Sequence, residues 1–572
     1  MSTQPIVPPG GEFPVPSTSS SPLLVFRCAP AIKPYLSEDL TSSNKNDNTL
    51  IPKSFIIDTI ITHTEVQGAQ EILLPSLESL SVDGKGLGFD VEIRVGGKRL
   101  GRANVPLNAT KVEVPFDLGS LKPQKNAFDV ECLATFSPTS SNPSPNANSN
   151  SASSSSPSKR ASSSNSDPDQ QAKSQTFQTT SQLFFLPPPA SGRSVTRMDL
   201  RTGALLSRPA TGKGGPYETV FPIGFYTDFG GYLASNLSVL DDLKSQGFTI
   251  VHPVPTFDNL TAFDLVVDRM QELGLWLMYD MRWTYLLTGN VTEEVNRIKN
   301  RPNLLLWYTA DEPDGWEDPQ NGTTIAYDLI NSLDGYHPVS LVLNCENYFF
   351  DAYTAGTDIV LQDTYMIGNN VTFSSEWGTP CTLDYGDCGC DNCKGEFEDI
   401  STRMDEFADR LFSLGWDRTK AVWTVPQAFG GSSYWKRTPT GQEWVVQSIL
   451  GINHGGLGVV PWNDPTTADI KNSATLLAKA MPTMKEFILN PAAKRGSAKV
   501  NRVDIALWTV GGQTLLLAAN LNYEETEVPL SQLGIGKIGK GVQGRQVFDS
   551  GAKIQGDSLV FDSIGSAGWV FR

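Results

Sequence analysis

The 572-residue sequence contains no apolar run approaching the roughly 20 residues of a membrane span, so a spanning helix is not expected. It has no basic stretch longer than a few residues. Its 62 Asp and Glu outnumber 45 Lys and Arg, for a net charge of −17. That balance repels DNA or an anionic membrane at long range, so nucleic acid is not an expected partner. Histidine is scarce, with four in all, and none lies beside the cysteine cluster at 381–393. No metal or other cofactor is expected there. The N-terminus, MSTQPIVPPGGEFPVPSTSSSPLLVF, lacks the basic and apolar regions of a signal peptide.

What is present points nonetheless to an oxidising compartment. Six N-x-[ST] sequons, at Asn108, Asn236, Asn259, Asn290, Asn321 and Asn370, offer glycan acceptors. Cys381, Cys388, Cys390 and Cys393 crowd thirteen positions, and disulfides stapling a long loop are the expected reading. Their spacing fits no zinc pattern. Cys28 and Cys132 can join two strands, leaving Cys345 as the free thiol. The expected location is extracellular or cell wall, with the signal peptide not visible in this sequence.

Composition is that of a globular protein, 39% hydrophobic and 19% charged. The length allows about four domain-sized units, of which a barrel alone takes roughly 250 residues. Residues 1–22 are Pro/Ser/Gly-rich and expected to be disordered. Residues 23–190 alternate apolar and polar positions (SFIIDTIITHT, FDVEIRVGG, KVEVPFDL), which predicts a β-sandwich. A Ser/Asn/Pro tract at 137–172 interrupts it as a disordered insertion. From 220 to 491 the texture changes to strand–helix alternation. Strand candidates are FPIGFY (221–226), FTIVHPV (248–254), LWLMYDM (275–281), LLLWYTA (304–310), SLVLNCE (340–346), DIVLQDT (358–364), AVWTVPQ (421–427) and GLGVVPW (456–462). Helical patterns such as LTAFDLVVDRMQELG lie between them and end in glycine. The predicted fold class is therefore α/β, a (β/α)₈ TIM barrel flanked by an N-terminal β-sandwich and, over 497–572, a C-terminal β-sandwich. Trp508 and Trp569 are expected in that last core.

Barrel active sites lie at the C-terminal strand ends. Those ends carry Tyr226, His252, Asp280, Arg282, Trp283, Asn344, Glu346, Tyr365, Gln427, Trp462 and Asp464 as candidate substrate contacts. Carboxylates among aromatic rings suit sugars, whose apolar C–H faces stack on rings and whose hydroxyls bond carboxylates. His63, His337 and His454 read as structural. The W-Y-T-A-D-E-P stretch at 307–313 ends strand 4 in an acidic pair, which places Glu312 where a raised pKa makes it a general acid.

At these residues the chain resembles the (β/α)₈-barrel glycoside hydrolases whose acid/base Glu ends strand 4, and in particular a secreted, fungal-type branch. Asp311 stands where those enzymes have Asn. Their nucleophilic Glu at the end of strand 7 is replaced by Gln427, in V-P-Q-A-F-G. The second carboxylate is then open among several residues. Asp363 resembles the strand 4 plus strand 6 arrangement of barrel α-galactosidases. Asp311 resembles the residue that orients a 2-acetamido group in barrel β-hexosaminidases, and Asp464 and Glu346 are further choices. With Asp363 as base, a water between the two carboxyls and inversion are expected. The implied function is hydrolysis of O-glycosidic bonds in a cell-wall or extracellular polysaccharide by a monomer. The alternatives are an inactive barrel that binds glycans in the cell wall, and an intracellular metabolic barrel enzyme, of which FGGSSYW (429–435) is a weak phosphate-loop echo.

Overall fold

A computed structural model of the protein describes residues 11–40, 51–74, 87–136, 174–375, 378–381, 388–533 and 544–572. The tract expected to be disordered at 137–172 lies outside the described residues, as do residues 1–10. The other part of the expected disordered start is ordered: Thr18–Pro30 is a strand, and Phe13 packs edge-on against Phe350.

Two four-stranded antiparallel sheets make up the N-terminal unit. One includes Thr18–Pro30 and Ser54–Thr64, the other Gly88–Val95 and Phe128–Phe136. Alternate residues of each face a common core, in which Leu24, Phe26, Phe55 and Ile57 meet Phe89, Val91, Ile93 and Phe136. A disulfide between Cys28 and Cys132 crosses from one sheet to the other.

Seven parallel strands follow in sequence order. They are β1 (Tyr226–Asp228), β2 (Ile250–Val254), β3 (Trp276–Asp280), β4 (Leu304–Asp311), β5 (Val339–Leu343), β6 (Ile359–Gln362) and β7 (Ala421–Thr424). Among the described residues eight α-helices accompany them: α1 (Ser238–Ser245), α2 (Leu260–Leu273), α3 (Thr288–Ile298), α4 (Gly322–Leu333), α5 (Phe350–Ala355), α6 (Glu398–Ser413), α7 (Gly441–Asn453) and α8 (Ala468–Ile488). The α2 helix shows why these residues coil. Asn259 caps its start by accepting from Ala262 N, Phe263, Val266, Val267 and Met270 form its buried stripe, and Gly274 ends it at φ +69°. The architecture is TIM-barrel-like. In the place of an eighth strand, residues 457–464 hydrogen-bond to both edges. Val460 N donates to Thr424 O (3.1 Å) and Trp462 N to Pro426 O (3.2 Å), while Tyr226 N donates to Pro461 O (3.2 Å). Glycine is required along this seam: a Cβ on Gly458 would lie 2.4 Å from the Trp423 ring, and one on Gly224 2.0 Å from Ile250 O. Inward-facing Met278, Leu306, Val342, Leu361 and Trp423 belong to the same buried cluster as Met198, Leu205 and Leu206 of the connecting segment. The interior is packed and leaves only the strand ends for chemistry.

After α8, six antiparallel strands between Lys494 and Phe571 form one hydrogen-bonded sheet, where two were expected. One face, with Trp508, Leu515 and Phe548, joins the core that contains α7 and α8; the other, with Val503, Leu516 and Trp569, encloses its own cluster. Both tryptophans are buried. The six sequon asparagines are all exposed.

Candidate active site

The β3 and β4 ends build a charged floor beneath the mouth. Asp280 is buried and receives three groups: Arg282 N (2.8 Å), Arg282 Nε (2.8 Å) and His252 Nε2 (2.8 Å). The same guanidinium reaches on through Nη1 to Asp311 Oδ2 (2.8 Å), and the Tyr308 hydroxyl donates to Asp311 Oδ1. Trp462 lies over Arg282, 4.9 Å from its ring centroid. Burial alone would raise Asp280, but the Arg282 charge and the His252 hydrogen bond outweigh it and hold the carboxyl below the usual aspartate value. For His252 burial wins over Asp280, and its pKa is lowered.

Next to this floor stand two carboxyls, Glu312 and Asp363, that no Lys or Arg among the described residues ion-pairs. Glu312 follows β4 at φ +53°, in the left-handed region that side chains with a Cβ rarely adopt. Strain of this kind gathers at functional sites because the surroundings must impose it. Here Glu312 N donates to Val342 O (3.2 Å) and Glu312 O accepts from Trp316 N (3.0 Å), fixing the turn. The Glu312 side chain is half-buried and hydrogen-bonds Asp363, at the end of β6, and Asn344, at the end of β5. Asp363 is 3% exposed, and its Oδ1 is buried without a hydrogen-bond partner. Burial and the Glu312 charge hold Asp363 well above the usual carboxylate range. Burial also raises Glu312, against the hydrogen bond from Asp363 and with the Asp311 charge adding to the rise. Two carboxyls in direct contact cannot both ionise at little cost, so the pair holds its last proton to higher pH than an isolated carboxyl does. This corrects one expectation. The carboxyls touch, and the spacing of roughly 6.5–9.5 Å that admits a water for inversion is not present between them.

The expected contacts divide by burial. Trp283 is 60% exposed at the rim, and Trp462 and Asn344 are half-buried in the mouth. Tyr226, His252, Asp280 and Arg282 are buried beneath, because inward-facing positions at these ends fill the ring; the Tyr226 and His252 rings lie tilted against each other, with centroids 4.1 Å apart. Tyr365 is buried against Phe429 and Trp435, whose Nε1 donates to Tyr365 O (2.7 Å). Gln427 is a correction. It is fully buried, its Oε1 accepts from Ile367 N (3.0 Å), and its Nε2 donates to Ile367 O (3.0 Å) and Phe429 O (3.1 Å). Its amide pins two loops and has nothing left for a substrate. Asp464 is likewise buried, in an ion pair with Lys471 (2.6 Å). Glu346 turns to the cysteine loop, where Asn392 Nδ2 donates to it (2.7 Å). Both oxygens of Asp311 are engaged by Arg282 and Tyr308, which leaves it poorly placed to orient an acetamido group.

Two disulfides staple the loop between β6 and α6, Cys381–Cys388 and Cys390–Cys393; Cys345 is free. Among the described residues no group of His, Cys, Asp and Glu is arranged to hold a metal ion.

Sequence reasoning overlooked Asp314. It is buried, and its carboxylate accepts from Cys345 N (2.8 Å), Asn344 N (3.2 Å) and Gly315 N (3.0 Å), tying the β4 turn to the end of β5. Burial, opposed by those N–H groups, pushes it up to about 7. Its signal was legible as a third acid in D-E-P-D-G-W, but only strand ends were read. Trp316, 47% exposed in the same turn, was missed for the same reason.

No protein-family model matches the sequence, and no curated protein does either. Among solved structures, the chain is similar to a family 39 glycoside hydrolase from the gut symbiont Bacteroides cellulosilyticus WH2, with 12% identity over 86% of this chain and 96% of that one, at a TM-score of 0.41. It is also similar to a GH30 endoxylanase from Clostridium papyrosolvens C71 (10% identity, 62% and 97% covered, TM-score 0.38). A putative alpha-galactosidase/melibiase from Bacteroides fragilis is a third (10% identity, 85% and 92% covered, TM-score 0.39).

Proposed function

We propose that this protein is a secreted glycoside hydrolase that cleaves O-glycosidic bonds of an extracellular or cell-wall polysaccharide, with Glu312 as proton donor and Asp363 as the second carboxyl. The observation that carries this reading is the contact of Glu312 with Asp363 at the strand ends, where neither carboxyl is in an ion pair among the described residues. A carboxyl that keeps its proton to higher pH than usual is what a glycosidic oxygen needs as it leaves. Asp363 donates in the hydrogen bond between them and Glu312 is the one solvent reaches, so the shared proton leaves through Glu312, and the charge that remains on the pair sits beside the developing oxocarbenium ion. Asn344 orients Glu312. Trp283, Trp316 and Trp462 offer ring faces for pyranose C–H surfaces.

The reading takes residues 457–464 as the eighth strand of a closed (β/α)₈ barrel, and the N-terminal pair of sheets as a sandwich. It includes secretion, because three disulfides and six exposed sequons suit an oxidising, glycosylating compartment. The test is to assay the purified protein and Glu312→Gln on a polysaccharide panel, following the product anomer by proton NMR. Hydrolysis by the wild type and its loss in the variant are expected. Glycan binding by both proteins with hydrolysis by neither would mean a glycan-binding cell-wall barrel instead.

A further inference from the structure

We propose that the sugar bound at Glu312 and Asp363 carries a protonated amine, which makes the substrate a polymer of de-N-acetylated amino sugars. The inference rests on the glycosidase reading of this site and adds the charge of its substrate. Five carboxyls, those of Asp280, Asp311, Glu312, Asp314 and Asp363, adjoin at the ends of β3, β4 and β6. Arg282 forms its ion pairs with Asp280 and Asp311, and its charge reaches Glu312 only as the weakest of the influences on that carboxyl, so one cation faces five carboxyls. His252 is held neutral by burial. Nearby Arg403 and Arg410 donate to main-chain oxygens of Asn344, Asp391 and Glu346, and Lys471 pairs with Asp464. Among the described residues no Lys or Arg forms an ion pair with Glu312, Asp314 or Asp363.

A second observation points to a ligand. Asp363 Oδ1 is buried with no donor facing it, in a residue only 3% exposed. Buried acceptors are nearly always satisfied, and here the missing donor is left to the substrate. A hydroxyl would fill the hydrogen bond but leave the excess negative charge. A sugar carboxylate would add to it at short range in a poorly screened site. An ammonium supplies both the donor and the charge. The exposed rings of Trp283 and Trp316 at the rim also attract a cation over their faces. At −17, the whole molecule draws a polycation and repels a polyuronate.

The experiment assays the purified full chain on polyglucosamine, polygalactosamine, chitin, a neutral β-glucan and polygalacturonate, with binding to each followed by titration calorimetry. One of the two amine polymers is expected to be cleaved with kcat/KM about tenfold or more above chitin and the glucan. Polygalacturonate should be neither bound nor cleaved. KM for the amine polymer should rise several-fold between about 50 and 500 mM salt, while KM for a neutral glycan stays level. Preference for a neutral, N-acetylated or uronate polymer overturns the inference while leaving the hydrolase reading intact. Selective binding of an amine polymer without cleavage of anything does the reverse. Neither binding nor cleavage of an amine polymer overturns the inference as well.

Discussion

The two sides of the mouth hold the same kind of group in the same degree of burial and treat it in opposite ways. Asp280, on β3, and Asp363, after β6, are both nearly inaccessible. Burial pushes both carboxyls upward, yet Asp280 falls below the ordinary value and Asp363 stands well above it. The difference is the partner. Asp280 has Arg282 and His252, whereas Asp363 has another carboxyl. A compensated buried charge is scaffold, because removing its proton is easy and its geometry is locked. An uncompensated pair holds a proton in reserve at a place the solvent reaches through Glu312.

The comparison is broken most sharply on the uncompensated side. Glu312→Gln keeps the shape and the hydrogen bonds but cannot give up a proton, so turnover on a natural glycan should fall by about 10²–10⁴-fold. The thermal midpoint should hold or rise, because a raised carboxyl is replaced by a neutral amide. Turnover near the wild-type rate would remove Glu312 from the mechanism. On the compensated side, Arg282→Met should act on stability first. It leaves Asp280 and Asp311 buried without their cation, which costs about 3–5 kcal/mol in denaturant unfolding. A loss under about 1 kcal/mol would mean that His252 and Tyr308 compensate the floor by themselves.

This contrast was only partly legible in the sequence. Seven of the eight expected strand–helix units were, because apolar runs and helix caps such as Asn259 and Gly274 are local signals. So was the importance of Glu312 and Asp363, since each ends an apolar strand. Their contact was not, because it depends on strand register and on the left-handed turn at Glu312, neither of which leaves a periodic trace. Burial misled the reading of His252, Asp464 and Gln427. A polar residue at a strand end looks the same whether it faces substrate or a neighbouring loop. The cysteine cluster announced disulfides, but its pairing of sequence neighbours came only from the folded loop.

Gln427 allows the sharpest check on that lesson. If it were a vacated nucleophile position, Gln427→Glu would restore or raise activity. The structure instead has its Nε2 donating to two main-chain oxygens, Ile367 O and Phe429 O. A carboxylate loses both donors and faces two carbonyls, so the variant should be less stable by about 1–3 kcal/mol with no gain in rate. A faster enzyme of unchanged stability would show that the loops are free to release this side chain.

The smallest expected effect lies far from the mouth, where compensation is complete and the group is a histidine. His454, just past α7, bonds Asp405 of α6 through Nδ1 (2.8 Å) and Asp504 of the C-terminal sheet through Nε2 (3.0 Å). Burial works to lower its pKa, but the two carboxylates outweigh it and push it up to about 9. The unfolded chain releases this proton near 6.5. Between those values the native state binds more protons than the unfolded one, so stability falls as pH rises. The contribution is fully present below about 6.5 and lost through about 9. Asp405 is largely exposed, so screening limits the effect to about 1 kcal/mol. Other groups titrate in the same window. Lys420, lowered by burial to about 8, works in the opposite direction, because its native form binds fewer protons there. The informative quantity is therefore the difference between wild type and His454→Gln, in which those shared contributions cancel. Denaturant unfolding at pH 6, 7.5, 9 and about 10 should show the wild type ahead at acid pH and the gap closing towards pH 10. A gap that stays constant would make the contact a matter of packing, with the proton playing no part.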